Sequence, residues 1–135
     1  MNIPFLGKRR DRSGTPDAEG IADLLAECDL LRSQADREGV RLDDSVASLE
    51  ALDQLVPRWR DDEETQSWLG NDAGLYLGTV IVRTVPGAAW RIRTDGQPVV
   101  RLASGREFDV VASGHAWAAS GVPELSQRYA EVSEP

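Results

Sequence analysis

The chain has 135 residues, of which 41% are hydrophobic and 28% are charged, and its formal net charge is −8 at pH 7. This length fits one compact domain with a single core, because two domains of half the size would be too small to be stable alone. An acidic chain repels nucleic acid and anionic membranes, so we expect a protein partner and no nucleic acid. No apolar run is long enough to predict a membrane span, and the pattern does not specify an oligomeric state.

The content of cysteine and histidine argues against metal and disulfide chemistry. A single cysteine and a single histidine cannot form an internal disulfide or a Cys/His zinc site with four ligands. We therefore expect no metal and no cofactor. The pair Arg9-Arg10 is followed by polar residues rather than by an apolar segment, so the sequence predicts neither a secretory nor a twin-arginine signal. The sequence predicts a cytoplasmic protein.

The N-terminal segment differs in charge from the remainder. Residues 1–16 contain four basic residues and only Asp11 as an acid, a net charge of +3 that leaves −11 on residues 17–135. Their composition predicts a flexible basic tail preceding a single α+β domain at residues 17–135. The alternative is a short docking segment, in which Phe5, Leu6 and the basic cluster contact a partner or an anionic lipid surface.

The first periodic segment predicts an amphipathic helix over residues 16–37, which ends at Gly39. Its apolar face contains Ile21, Leu24, Leu25, Cys28 and Leu31. Cys28 lies on this face, between two acidic residues, so we expect it to pack in the core. A reactive thiol would instead need exposure and a positive neighbour.

A second helix is predicted to begin at the cluster Asp43, Asp44 and Ser45, whose side chains can accept the free N–H groups of a first turn. Its apolar face is Val46, Leu49, Leu52 and Val56, and Pro57 stops or kinks it. The acidic run at residues 61–64 is typical of another helix start, with Asp61 as the N-cap. A divalent-cation site is disfavoured, because contiguous carboxylates lack the alternate spacing of a calcium loop.

The stretch WLGNDAGLYLGTVIVRT has glycine at every fourth position from Gly70 to Gly78. It fits neither phosphate-loop motif, because the spacing differs and no lysine follows. On a helix the glycines lie opposite a polar stripe formed by Asp72, Tyr76, Thr79 and Arg83. Helical glycines are costly, so we predict a central helix with a close-packed neighbour at Gly74 and Gly78. The pair Pro86-Gly87 ends this helix.

After the central helix the period changes to that of strands. We predict a three-stranded antiparallel meander, in which a two-residue loop at Asp95-Gly96 pairs Ile92 with Val99. A second turn at Ser104-Gly105 is predicted to pair Val99 with Val110. The face directed at the helices then contains Trp90, Ile92, Val99 and Val110.

The opposite face of the predicted sheet is the candidate binding surface. It gathers Arg91, Arg93, Glu107 and Asp109 around Val100 and Leu102. Arginine is enriched in interfaces, and an apolar centre ringed by charge is typical of a docking site. The chain then closes with a helix over residues 111–119, ended by Gly121, and a last helix with Pro123 in its first turn.

Three hypotheses of function follow. The first is a non-catalytic protein-interaction module, such as an adaptor, an immunity-type inhibitor or a regulator. The second is a small enzyme, with His115 as a general base oriented by Glu107 or Asp109 and with Ser113 or Ser120 as nucleophile. The third is a regulator that binds an anion through Arg83, Arg91, Arg93 and Arg101. No spacing enforces the catalytic hypothesis, so no catalytic residue is assigned and the first is preferred.

Four segments carry a resemblance to a known family. The segments LGNDAGLYLGTVIVR, GAAW, VVRLASGREFDVV and PELSQRYAEV resemble a family of small, uncharacterised actinobacterial proteins, a domain of unknown function. The resemblance covers about residues 17–133. It implies an α+β fold with helices preceding a small antiparallel sheet. The residue patterns themselves predict N-terminal helices and a central glycine-containing helix packed on a three-stranded antiparallel meander, closed by two short C-terminal helices. The resemblance implies no activity.

Overall fold

The computed structural model describes residues 18–133, so the predicted flexible tail lies outside the described residues. The predicted α+β class is confirmed, with a three-stranded antiparallel sheet in the order β1-β2-β3. No helix in this part of the chain combines the length and the apolarity needed to cross a membrane. The elements in chain order are α1 (Ala18–Leu25), α2 (Asp29–Arg37), α3 (Val46–Trp59), α4 (Glu63–Thr84), β1 (Ala89–Ile92), β2 (Pro98–Arg101), β3 (Glu107–Phe108), α5 (Val110–Ser120) and α6 (Leu125–Ser133).

Helix α4 is the central element, and its glycines allow a close contact with α5. A Cβ added to Gly74 would lie 2.5 Å from the carbonyl oxygen of Val110 and 2.6 Å from the Cα of Val111. Gly114 of α5 in turn lies against the backbone of Gly70 and Gly74. The predicted close neighbour of the central helix is therefore confirmed: it is the backbone of α5.

The third glycine of α4 positions the sheet. The indole ring of Trp90 in β1 occupies the space that a Cβ on Gly78 would need. Trp90 packs against the core cluster, which includes the completely buried Leu77 and Ile81 of α4. The sheet is thus attached to α4 through one large aromatic side chain that fits over a glycine.

The polar stripe of α4 is buried only in part: Tyr76 lies in the interior, whereas Arg83 is exposed. Tyr76 is completely buried, and its hydroxyl accepts the backbone N–H of Asp44 at 2.8 Å and shares a 2.6 Å hydrogen bond with the Ser48 hydroxyl. The guanidinium of Arg32 lies 5.2 Å from the centre of the tyrosine ring. The buried hydroxyl of Tyr76 is therefore satisfied by α3 and by the segment that joins α2 to α3.

The predicted single helix over residues 16–37 is wrong, because the structure divides it into α1 and α2. Cys28 between them has a left-handed backbone, with φ 42°. The carboxylate of Asp72 in α4 accepts the backbone N–H of Leu31 at 3.2 Å and so caps α2. The break depends on this contact from a distant helix, which the local periodicity cannot indicate.

The boundaries of the next two helices differ slightly from the prediction. Ser45 is the N-cap of α3, and Pro57 lies inside this helix, which ends two residues later. The N-cap of α4 is Asp62 rather than Asp61, and its side chain accepts the backbone N–H groups of Glu64 and Thr65. The acidic run therefore begins the helix as predicted, but the N-cap lies one residue later.

A buried carboxylate joins α3 to both closing helices. Asp53 accepts the indole N–H of Trp117 at 2.9 Å, the backbone N–H of Leu125 at 2.8 Å and the hydroxyl of Ser126 at 2.6 Å. Gly121 ends α5 with φ 79°, as predicted, and α6 begins at Leu125 rather than at Pro123. The first turn of α6 is therefore capped by a residue of α3.

We expect Gly74→Ala to destabilise the protein by about 2 kcal/mol or more, since its methyl group would overlap backbone atoms that cannot rotate away. The loss would occur although alanine favours a helix by roughly 1 kcal/mol over glycine. Gly70→Ala is the matched control, because its closest neighbour is the exposed imidazole of His115, which can move. Denaturant unfolding measures both variants, and equal stabilities would contradict the tight crossing.

Candidate functional site

The candidate surface depends on the register of the sheet, which differs from the prediction by one residue. Ile92 lies opposite Pro98, and Trp90 lies opposite Val100. The backbone N–H of Arg93 donates to the carbonyl oxygen of Gln97 at 2.9 Å, so the first hairpin loop contains three residues rather than two. Gly96 has a φ of 88°, as a three-residue loop with a left-handed last position requires.

The second hairpin has the same form. The backbone N–H of Leu102 donates to the carbonyl oxygen of Arg106 at 2.8 Å, and Val100 lies opposite Phe108. Val110, predicted to pair with Val99, instead begins α5. The predicted pairings of Val99 are therefore both wrong, because each loop holds one residue more than expected.

A one-residue change of register moves side chains to the other face of a sheet. Val100 shares the helix-facing side with Trp90 and is completely buried in the core cluster. Leu102 is half-buried and lines a separate groove beside Val85 and Val132. The structure therefore places neither Val100 nor Leu102 at the centre of the charged face, and Val99 lies there instead.

The four charged residues predicted on this face do come together. Nη1 of Arg91 lies 3.0 Å from Oε2 of Glu107. Arg93 lies 3.9 Å from the carboxylates of both Glu107 and Asp109. Arg101 is on the same side, because it lies opposite Glu107 in the neighbouring strand. We refer to Arg91, Arg93, Arg101, Glu107 and Asp109 as the charged sheet face.

The charged sheet face has a buried centre and an exposed rim. Arg91 is in β1 and Glu107 is in β3, so their ion pair must cross β2, which lies between them. Val99 lies directly opposite Arg91 in β2 and is completely buried. Strands lie about 4.8 Å apart, and the aliphatic stem of an arginine can cover apolar surface over that distance. The ion pair therefore forms a polar cover over Val99.

His115 lies elsewhere and does not join a catalytic group. Its side chain is exposed on α5, beside Gly70 of α4. Among residues 18–133, no hydrogen bond or ion pair connects it with Glu107 or Asp109. Glu107 pairs with the arginines, and Asp109 accepts the backbone N–H of Ala112 as the N-cap of α5.

The four arginines of the anion-binding hypothesis do not form one cluster. Arg83 pairs with Asp44 at 3.3 Å, on the segment between α2 and α3. Arg91 and Arg93 have carboxylate partners within the charged sheet face. Arg101 is exposed, and no ion pair to it is present within the described chain. The geometry therefore gives no shared pocket in which all four could hold a single anion.

The thiol of Cys28 is confirmed as a core group. Burial, together with the nearby carboxylate of Asp72, raises the pKa of the Cys28 thiol to about 12. Its sulfur lies 3.5 Å from the carbonyl oxygens of Leu25 and Asp72. Burial also raises the pKa of Asp72 above its ordinary value. These surroundings keep the thiol protonated and remove it from the candidate nucleophiles.

A groove lies between α2 and the start of α4, and no local sequence pattern indicates it. Its volume is about 530 Å³, and its lining includes Leu30, Arg37, Asp62, Glu64 and Trp68. Leu30, in the first turn of α2, is 53% exposed although its side chain is large and apolar. In residues 18–133 no group of three or more His, Cys, Asp or Glu side chains could hold a metal ion. The groove thus combines apolar side chains with an acidic rim.

The chain belongs to a family described as "Family of unknown function (DUF6278)", whose model matches residues 1–135. The resemblance to a family of unknown function is thereby confirmed, and the actinobacterial origin stays a prediction. A search of the curated proteins and of the solved structures found no match. Membership of this family supplies no activity and no binding partner.

We expect native Cys28 to resist the thiol reagent DTNB at pH 8. A thiol with a pKa of about 12 is ionised at that pH in only about one molecule in 10⁴, and the thiolate is the reactive form. In guanidinium chloride the same thiol should react rapidly. An Ala112→Cys variant, with the new thiol on the exposed side of α5, should release one equivalent under native conditions. Rapid reaction of the unaltered native protein would contradict the burial of Cys28.

Proposed function

We propose that this protein is a non-catalytic, cytoplasmic protein-interaction module that binds its partner through the charged sheet face. The observation that supports this proposal is the ion pair between Arg91 and Glu107, which holds arginine side chains in fixed positions on an exposed face. The class of role is that of an adaptor, an inhibitor or a regulator.

The charge of the surface favours an acidic segment of the partner. The charged sheet face contains three arginines and two carboxylates, whereas the whole chain has a net charge of −8. It is therefore a locally positive surface on an acidic protein. A partner that presents carboxylates would be attracted to this surface and repelled by most of the remainder, which favours one orientation of docking.

The internal ion pairs also prepare the arginines for binding. A guanidinium has several N–H donors in one plane, and only part of them point to Glu107 in the Arg91 pair. The remaining donors are available to a second carboxylate. Because the side chain is already held by Glu107, less rotamer entropy is lost when the partner binds.

The two alternative functions have less support. The catalytic hypothesis needs a carboxylate to orient His115, and the candidates Glu107 and Asp109 are paired with arginines. The anion-binding hypothesis needs Arg83 beside the sheet arginines, and Arg83 pairs with Asp44 instead. The interaction module requires no group beyond those already assembled on the sheet.

We expect the double variant Arg91→Glu and Arg93→Glu to lose capture of the partner in a pull-down from native lysate. The reversal places four carboxylates together and removes the donors that the partner would need. Partner bands that depend on this surface should disappear from the captured proteins. The matched control reverses Arg41 and Arg60, which are exposed on other elements, so that the net charge changes equally.

A second control separates folding from binding. The pair Arg91→Glu with Glu107→Arg keeps an ion pair across β2 but exchanges its two charges. We expect its melting temperature to stay within a few degrees of the parent, since exposed ion pairs contribute less than about 1 kcal/mol. Capture should nevertheless fail. Survival of capture in both sheet variants would exclude this face as the interface.

A further inference from the structure

The groove between α2 and α4 has the composition of a peptide-docking site. Leu30, half exposed on α2, and Trp68, partly buried on α4, form its apolar part. Its volume of about 530 Å³ exceeds that of one large apolar side chain and suits a short segment of polypeptide. The groove lies apart from the charged sheet face, because none of its lining residues belongs to the sheet.

The charges around this groove favour a basic occupant. Asp62 and Glu64 line it, and Asp61 and Glu63 are exposed directly beside them. The carboxylate of Asp62 caps α4 by accepting from Glu64 and Thr65, whereas Glu64 has no side-chain partner within residues 18–133. Arg37 is the one basic residue in the lining. The four acidic side chains of residues 61–64 outweigh it.

One segment of this polypeptide has the matching composition. Residues 3–10, with the sequence IPFLGKRR, contain an apolar group that includes Phe5 and Leu6, followed by three basic residues. Apolar anchors followed by positive charge correspond to the order of the groove, in which Leu30 and Trp68 adjoin the acidic run. The N-terminal segment carries +3 on a protein whose remaining charge is −11.

We propose that the groove between α2 and α4 binds residues 3–10 of the same polypeptide, with Phe5 and Leu6 against Leu30 and Trp68 and with the basic residues against the acidic run. The length of chain permits this contact. Phe5 precedes Ala18, the start of α1, by 13 residues, which extend to roughly 43 Å at about 3.3 Å per residue. A compact body of this size is roughly 35 Å across, and α1 itself contacts α4, so the groove lies within reach of the segment.

Intramolecular attachment compensates for a small interface. Two apolar side chains and a few ion pairs bind weakly between separate molecules, but a short linker raises the effective concentration to the millimolar range. In this arrangement the segment covers Leu30 until a competitor with the same chemistry, an apolar residue followed by basic ones, displaces it. The protein would then have an interaction site that its own N-terminal segment occludes.

The test is paramagnetic broadening in the full chain. A nitroxide label is attached to the new thiol of a Gly7→Cys variant, in which the buried Cys28 stays unlabelled. If Cys28 does react, the same measurement is made on a Gly7→Cys variant that also carries Cys28→Ala. We expect the indole N–H signal of Trp68 to be broadened at least tenfold more than that of Trp117, which is completely buried on α5. A Trp68→Phe variant identifies the signal.

Charge exchange then tests the specificity of the contact. Lys8→Glu, Arg9→Glu and Arg10→Glu together should restore the Trp68 signal, and adding Asp61→Lys with Glu64→Lys should broaden it again. Adding Glu50→Lys with Glu124→Lys, at exposed positions outside this groove, should not. If the acidic run had only a structural role, the added lysines would not restore the broadening of the Trp68 signal.

Three results would overturn the proposal. The first is an unbroadened Trp68 signal in the labelled protein with native charges. The second is a loss of broadening that no exchange of the acidic residues restores. The third is broadening only when labelled and ¹⁵N-enriched chains are mixed, which would assign the groove to a second copy. The double variant Arg91→Glu and Arg93→Glu should leave the broadening unchanged, so this inference and the proposed function can fail independently.

Discussion

The close crossing of α4 and α5 is the constraint on which the other contacts depend. Gly74 allows the backbone of Val110 and Val111 to approach α4 without an intervening side chain. This contact fixes where α5 begins, and α5 begins directly after β3. The end of the sheet is therefore positioned by a glycine on a helix. Gly78, one turn further along α4, receives Trp90 and positions the other edge strand.

Between those two attachments, the sheet presents an outer face whose charges are organised by its own topology. Because β2 is central, an ion pair between the edge strands has to pass over it. The same pair shields Val99 and fixes the direction of the arginines. An apolar residue in place of Arg91 would cover Val99 equally well, but it would offer no hydrogen-bond donors to a partner. The arrangement thus combines a role in packing with a surface suited to recognition.

The sequence predicts the order of elements well, because their signals are local: the acidic helix start, the glycines of α4 and the turn residues of the sheet. It fails where a distant residue decides the structure. The break before α2 needs Asp72, which lies 41 residues beyond Leu31. The predicted register of the sheet differs from the observed register by one residue, because the pair Asp95-Gly96 is compatible with loops of two or three residues. That error placed Val100 on the charged face. The four charged residues share one face as predicted, because each loop is one residue longer than expected and the two changes of register cancel between the edge strands.

The carboxylate of Asp53 has a consequence for the time course of synthesis. Its partners Trp117, Leu125 and Ser126 follow it by 64 to 73 residues. While the ribosome is still translating residues 117–126, α3 has already left the exit tunnel. The carboxylate of Asp53 then lacks the donors that bind it in the folded protein, so it remains hydrated. Water therefore has access to this part of the core until the segment around Leu125 emerges. Helix α6 then displaces that water, so this part of the core closes only after α6 has left the ribosome.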